Sequence, residues 1–281
     1  MRNTMDEYQT TIRKFKKRKR IADFGYFVSV FLLCLWFLTN IWELLFYDDS
    51  YALFVGSIIA FVLIFILLSL IYVAVDVVIK SQIVTIMFSE CDPEKYSRVL
   101  SSVYRVNRKT RSSMQATTAF FTGKFEDCLR YCDEAEKLNK PKLQYTVALN
   151  RARAAAMLGD KETLAAETEK MLQAKIKRES EKEEAKKVAE HYYMLYDLLD
   201  GNLEKADAKA DGLQPASSCP LSEALCAYYR GLVYKAAAEK QKAIHCFMTA
   251  SEKGGKMFIK AKSDEALNEL LEENISSDQI Q

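Results

Sequence analysis

Cys128 and Cys132 stand four residues apart in GKFEDCLRYCDEAEKL, residues 123–138, beside Glu126, Asp127, Asp133 and Glu134. Thiols and carboxylates are the groups that hold zinc or exchange disulfides, but a helix needing small side chains on a packed face also uses cysteine. A structural zinc takes four ligands, and neither His191 nor His245 supplies a second half-site at metal-ligand spacing. Two cysteines one turn apart on a single helix are also poorly arranged for a disulfide. Cys34, Cys91, Cys128, Cys132, Cys219, Cys226 and Cys246 follow no framework spacing, which suits a reducing compartment. Packing is therefore the expected role of the pair, and Cys219, beside Pro220 in DGLQPASSCPLS, is the thiol expected at the surface.

Other catalytic signatures are missing. The chain has no Gly-rich phosphate loop, no H-E-x-x-H and no nucleophile elbow, so neither an enzyme nor a cofactor or metal is expected. The formal net charge is +2, with a basic balance over residues 1–111 and a mildly acidic one over residues 112–281. The acidic part offers no stripe of Lys and Arg to neutralise phosphates, which argues against nucleic acid as a partner.

The elements that must position these residues are helices. With 9 Gly and 4 Pro in 281 residues, none of the Pro inside a long apolar or amphipathic stretch, the sequence lacks the punctuation of hairpins and sandwiches. The expected fold class is all-α.

Residues 24–42 and 51–75 are uncharged runs, each able to cross a hydrocarbon core of roughly 30 Å as a helix. No Lys or Arg occurs from Ile21 to Ile79, so residues 21–79 are expected to form a transmembrane hairpin after a basic segment, residues 1–20. A cleaved signal peptide fits poorly, because the first run is long, a second follows, and no small-x-small pattern ends it. The joining segment carries Glu43, Asp48 and Asp49 without a cation, while both flanks are rich in Lys and Arg. The positive-inside bias then places both termini in the cytoplasm, and Trp42, Tyr47 and Tyr51 fall at the outer interface. KFKKRKR, residues 14–20, reads as a topology signal with anionic-lipid contact rather than a nuclear patch. Asp23 and Asp76 are expected to reach water at the cytoplasmic ends, and Asn40 to bond to the neighbouring helix or to interfacial water.

Residues 80–109 read as a juxtamembrane helical linker in which residues 79–90 prolong the second span or lie along the headgroups. Asp92 before Pro93 marks a fresh helix start. Beyond it, helix–turn–helix units recur with turns at Gly123, Gly159 and Gly201, and a fourth turn falls near Ala238 without a glycine. Residues 175–187, KIKRESEKEEAKK, lengthen one interval as a solvated, charged helix surface.

These units resemble the tetratricopeptide repeat, a helix–turn–helix module stacked at a period of about 34 residues. The fourth unit carries the resemblance best, with Gly231 and Tyr234 in its first helix and Ala243, Phe247 and Ala250 in its second. In the first unit the corresponding residues are Phe125, Cys128, Cys132 and Ala135, with Pro141 at the closing position; Ala206 serves the third. The resemblance implies a TPR-like α-solenoid of stacked helix pairs over residues 110–255, with residues 256–281 as capping helix and tail. It also implies a concave face lined by first helices, at Thr117, Arg153, His191, Tyr228 and Lys235, which takes a protein or peptide. The expected function is a scaffold or adaptor held at the cytoplasmic face of a bilayer. The alternatives are an accessory subunit of a membrane transport or secretion complex, assembling through its spans, or an enzyme with an unrecognised site.

Overall fold

The structure, a computed structural model, describes residues 2–47, 51–105, 108–138, 141–176 and 178–278. Twelve α-helices and no strand occur among the described residues. The chain divides into two compact units, residues 1–84 with 98–104, and residues 85–97 with 105–281.

The first unit is built on α1 (Arg2–Tyr47) and α2 (Tyr51–Phe88), two helices long and apolar enough to cross a membrane. The acidic segment with Asp48 and Asp49, expected outside the bilayer, lies outside the described residues. The two helices pack antiparallel: Phe37 meets Phe61 with ring centroids 4.3 Å apart, and Tyr26 meets Tyr72 at 4.6 Å. Large side chains such as Phe24, Trp42, Leu63 and Leu70 stay exposed, the reverse of a helix inside a soluble core. Asn40 donates from Nδ2 to the Trp36 carbonyl at 2.8 Å, so its amide is satisfied by its own helix rather than by the neighbouring one.

Asp76 does not simply reach water. Its Oδ1 lies 3.0 Å from Lys19 Nζ, its Oδ2 lies 2.6 Å from Lys80 Nζ, and the Tyr104 hydroxyl donates to it at 3.0 Å. Lys19 in turn pairs with Asp23 at 2.8 Å and donates to the Tyr72 hydroxyl at 2.7 Å. Opposite charges at the apolar margin therefore neutralise one another inside this unit. Tyr104 and Arg98, whose guanidinium lies 5.5 Å from the Tyr8 ring, bring the second half of α3 (Pro93–Val103) into the same unit.

The second unit begins at Thr85, because Met87 and Cys91 are buried in the same core as the repeated helices. Residues 80–109 are thus no single linker: residues up to Phe88 complete α2, and α3 starts at Pro93 with the Asp92 carboxylate accepting from Lys95 N at 2.9 Å. Four helix pairs follow: α4 (Arg108–Phe121) with α5 (Phe125–Glu136), α6 (Pro141–Leu158) with α7 (Lys161–Gln173), α8 (Glu179–Leu199) with α9 (Leu203–Gly212), and α10 (Pro220–Ala236) with α11 (Lys240–Lys253). A last helix, α12 (Phe258–Asp278), ends the array. Of the charged stretch expected as a helix surface, residues 179–187 form the start of α8, exposed apart from Ala185, whereas Lys175, Ile176 and Arg178 precede the helix and residue 177 lies outside the described residues.

The turns inside the four pairs share one hydrogen-bond pattern. The residue after each turn donates its N–H to a carbonyl five residues back: Lys124 to Ala119, Asp160 to Ala155, Asn202 to Asp197 and Glu239 to Tyr234, at 2.8–3.0 Å. This six-to-one bond closes a helix only when the turn residue adopts positive φ. Gly123, Gly159 and Gly201 have φ of 78°, 75° and 79°, and Ala238 takes 58° despite its Cβ. The first helices also touch in succession, α4 with α6, α6 with α8, α8 with α10 and α10 with α12, forming one continuous layer.

The core follows the repeat positions. Cys128, Cys132, Ala135, Ala206, Tyr234, Ala243, Phe247 and Ala250 are all buried. A Cβ on Gly231 would stand 2.7 Å from the Phe247 ring, so that pair of helices meets where one side chain is missing. The terminal helix covers more than the last pair: the Phe258 ring lies 5.9 Å from Tyr228 of α10, and also 5.1 Å from Phe125 of the first pair.

Candidate functional site

The first-helix layer holds a cavity of about 760 Å³. Its walls come from α4, α6 and α8, with Phe88 and Tyr96 from the segment that enters the unit. Phe121, Tyr145, Leu149 and Val188 make much of the surface apolar, Thr117, Asn150 and Arg153 place polar atoms within it, and Lys175, Arg178, Glu181 and Glu184 also line it. A volume of this order, an apolar lining and a few convergent polar groups are the general features of a ligand or peptide site.

The polar groups are held by packing. Asn150 is buried on α6 and donates from Nδ2 to Thr117 Oγ1 on α4 at 2.9 Å, while its Oδ1 has no hydrogen-bond partner within the chain. Arg153, one turn further along α6, lays its guanidinium 5.2 Å from the Phe121 ring centroid and 5.6 Å from that of Phe120. These faces stabilise a cation through the aromatic quadrupole. Burial opposes the arginine charge, and the electrostatic influence of Tyr192, Tyr229 and Tyr145 outweighs it, so its pKa lies above the ordinary value. No carboxylate pairs with Arg153 among the described residues, and its buried Nε has no hydrogen-bond partner.

Arg153 also lines a smaller adjoining cavity of about 60 Å³ with His191, Tyr192 and Tyr229. His191 is buried and its Nε2 donates to the Gln214 carbonyl at 3.1 Å. Burial lowers its pKa to about 4 against the raising effect of that hydrogen bond, with Arg153 adding to the depression. The imidazole is consequently neutral at physiological pH. Burial pushes the Tyr192 hydroxyl up to about 12 and that of Tyr229 well above the usual range.

Three of the five residues expected on the concave face therefore meet around these cavities: Thr117, Arg153 and His191. The other two do not open into them. Tyr228 is buried among Tyr229, Phe247 and Phe258, and Lys235 forms an ion pair with Glu269 of α12. The last helix lies over the part of the layer that they occupy.

Cys128 and Cys132 are both fully buried, and their thiols point at carbonyls of α6, those of Asn150 at 3.6 Å and Val147 at 3.7 Å. The Cys128 thiol, then burial, raises the Cys132 pKa far above the ordinary thiol value, so Cys132 is no source of thiolate. Among the described residues no group of three or more His, Cys, Asp and Glu side chains could hold a metal ion. The neighbouring acids have a different partner, because Arg151 pairs with Asp133 at 2.5 Å and with Glu136 at 2.7 Å, tying α6 to α5. A second cavity of about 330 Å³ beside this network is lined by Glu136, Glu167 and Lys170, whose charges are already paired.

Sequence reasoning missed Asn150, Phe88 and the Phe120–Phe121 platform. FF ahead of Gly123 was a visible signal, whereas only the fold brings the end of α2 to this layer. Comparison of the chain with known protein families, with curated proteins and with solved structures gave no match.

Proposed function

We propose that this protein is a membrane-anchored adaptor: α1 and α2 cross the bilayer, and a TPR-like array of helix pairs on the cytoplasmic side binds a segment of a protein partner. The observation that carries this reading is the cavity of about 760 Å³ on the first-helix layer, where the Arg153 guanidinium lies against the Phe121 ring and forms no ion pair among the described residues, although Glu181 and Glu184 line the same cavity. A partner segment entering there would bury apolar side chains against Phe121, Tyr145 and Leu149, bring an acceptor to Arg153 and bring a donor to Asn150 Oδ1.

The cytoplasmic placing rests on the distribution of cations, with Lys and Arg crowded before the first apolar run and after the second, and none between Ile21 and Ile79. Anchoring raises the concentration of the array near other proteins of the same membrane without any added contact. The repeated six-to-one turns and the buried small residues at Cys128, Ala206 and Ala243 support the likeness to tetratricopeptide modules.

The test is recovery of partners with the tagged full chain from detergent-solubilised membranes, beside the variant Thr146→Trp, which fills the cavity from α6. A protein recovered near stoichiometry with the parent chain and lost with the variant is the expected result. Equal recovery with both would move binding off this site, and no partner with either would contradict the adaptor reading.

A further inference from the structure

The basic residues before the first apolar run are not equivalent, and α1 sorts them. This helix is unbroken from Arg2 to Tyr47, so the cations and the apolar run share one rigid axis, with Arg20 about 6 Å of helix rise ahead of Phe24. One side of α1 is packed: Tyr8 and Phe15 are buried there, Lys19 is held by Asp23 and Asp76, and Arg18 donates to Gln82 Oε1 at 2.6 Å. Arg13, Lys16, Lys17 and Arg20 follow the i, i+3, i+4, i+7 spacing of a single helix face, and that face points the opposite way. All four are exposed, and among the described residues none makes an ion pair or a side-chain hydrogen bond. Lys14 stands between the two sides. The acids nearest this face are Asp23, exposed three residues beyond Arg20 but already paired with Lys19 at 2.8 Å, and Asp6, two turns before Arg13.

We propose that Arg13, Lys16, Lys17 and Arg20 form a binding face for the phosphate-bearing headgroups of anionic phospholipids. The inference rests on the reading that α1 crosses the bilayer. Four uncompensated cations on about 10 Å of helix, ending one turn from the hydrocarbon, match a ligand that carries its anion at the headgroup and its acyl chains alongside Phe24 and Phe27. A soluble phosphate would gain nothing from the second feature. Lys19 and Lys80 are excluded from the face because Asp23 and Asp76 already neutralise them. The structural cluster and the lipid face thus divide the basic run between them.

The test reconstitutes the full chain in phosphatidylcholine and compares the immobilisation of spin-labelled phosphatidylserine with that of spin-labelled phosphatidylcholine. The parent chain is expected to favour phosphatidylserine several-fold at low salt, with the preference falling as ionic strength rises. Lys16→Gln with Lys17→Gln should bring it close to parity, whereas Lys14→Gln with Arg18→Gln, which removes the same charge from outside the face, should retain most of it. The charge-keeping pair Lys16→Arg with Lys17→Arg should behave as the parent and controls for folding. If the neutral pair does not reconstitute, the single Gln variants at 16 and 17 carry the comparison. No phosphatidylserine preference in the parent, or equal losses from the two neutral pairs, would overturn the proposal while leaving the spanning reading intact. Absence of any immobilised lipid would instead contradict the spanning reading, and the proposal with it.

Discussion

The ring of Phe258, the first residue of the last helix, meets the ring of Phe120 in the first helix pair edge to face, with centroids 5.4 Å apart. The contact fits because Gly123, at φ 78°, leaves its side-chain position open; a Cβ there would stand 3.1 Å from Phe258 Cβ. An array expected to end in a simple cap is instead joined from its last helix back to its first pair. Phe258 is half-buried, so Phe258→Ala should destabilise the helical body by about 2–3 kcal/mol, less than the loss of a fully buried phenylalanine. Chemical denaturation of the full chain in detergent, followed by circular dichroism, measures it. A loss under about 1 kcal/mol would show that the closure contributes little.

The four turns predict opposite effects from opposite substitutions. Ala238 occupies a left-handed conformation that a Cβ disfavours, so Ala238→Gly should be neutral or stabilising by up to about 1 kcal/mol. Gly159 adopts the same conformation with open space around it, so Gly159→Ala should cost about 1 kcal/mol from backbone strain alone. Denaturation midpoints of the two variants, taken together, check the pair.

Packing at the fourth unit is tighter. Gly231→Ala would drive a methyl group to 2.7 Å from a fully buried Phe247 ring, and about 1–3 kcal/mol of destabilisation is expected. Phe247→Leu in the same chain should recover part of that loss by vacating the clash, which a double-mutant cycle would register.

His191 sets a pH dependence. Its folded pKa of about 4 lies below the unfolded value near 6.5, so between these the unfolded chain binds more protons and stability falls as pH falls. Relative to pH 7.5, as much as about 3 kcal/mol should be lost by pH 4, in addition to what the paired carboxylates lose when they protonate. His191→Gln should flatten the pH 6.5 to 5 part of the profile. A parent profile without slope in that window would contradict the buried, neutral imidazole.

Much of this architecture was legible in the sequence for local reasons. A turn needing positive φ selects glycine, so Gly123, Gly159 and Gly201 announced three turns, and the repeat interval located the fourth at Ala238. The apolar runs announced α1 and α2 because length and lack of charge are themselves the physical requirement for a span. What stayed hidden depends on residues far apart in the chain. Lys19 and Asp76 read as separate flanking charges until α1 and α2 pair, and Tyr228 and Lys235 read as groove residues until α12 covers them with Phe258 and Glu269. Cys128 and Cys132 were legible as packing residues, but their contact with α6 carbonyls required the next repeat to be in place.

The central claim is that the cavity at Arg153 receives a segment of another protein. A photo-crosslinking amino acid placed at Thr146, on the cavity wall, in the full chain in its own membrane tests it most directly, with the same group at exposed Lys205 as control. A discrete adduct with one other polypeptide from position 146 and none from 205 is the predicted result. No adduct from 146, or the same adduct from both positions, would contradict the account.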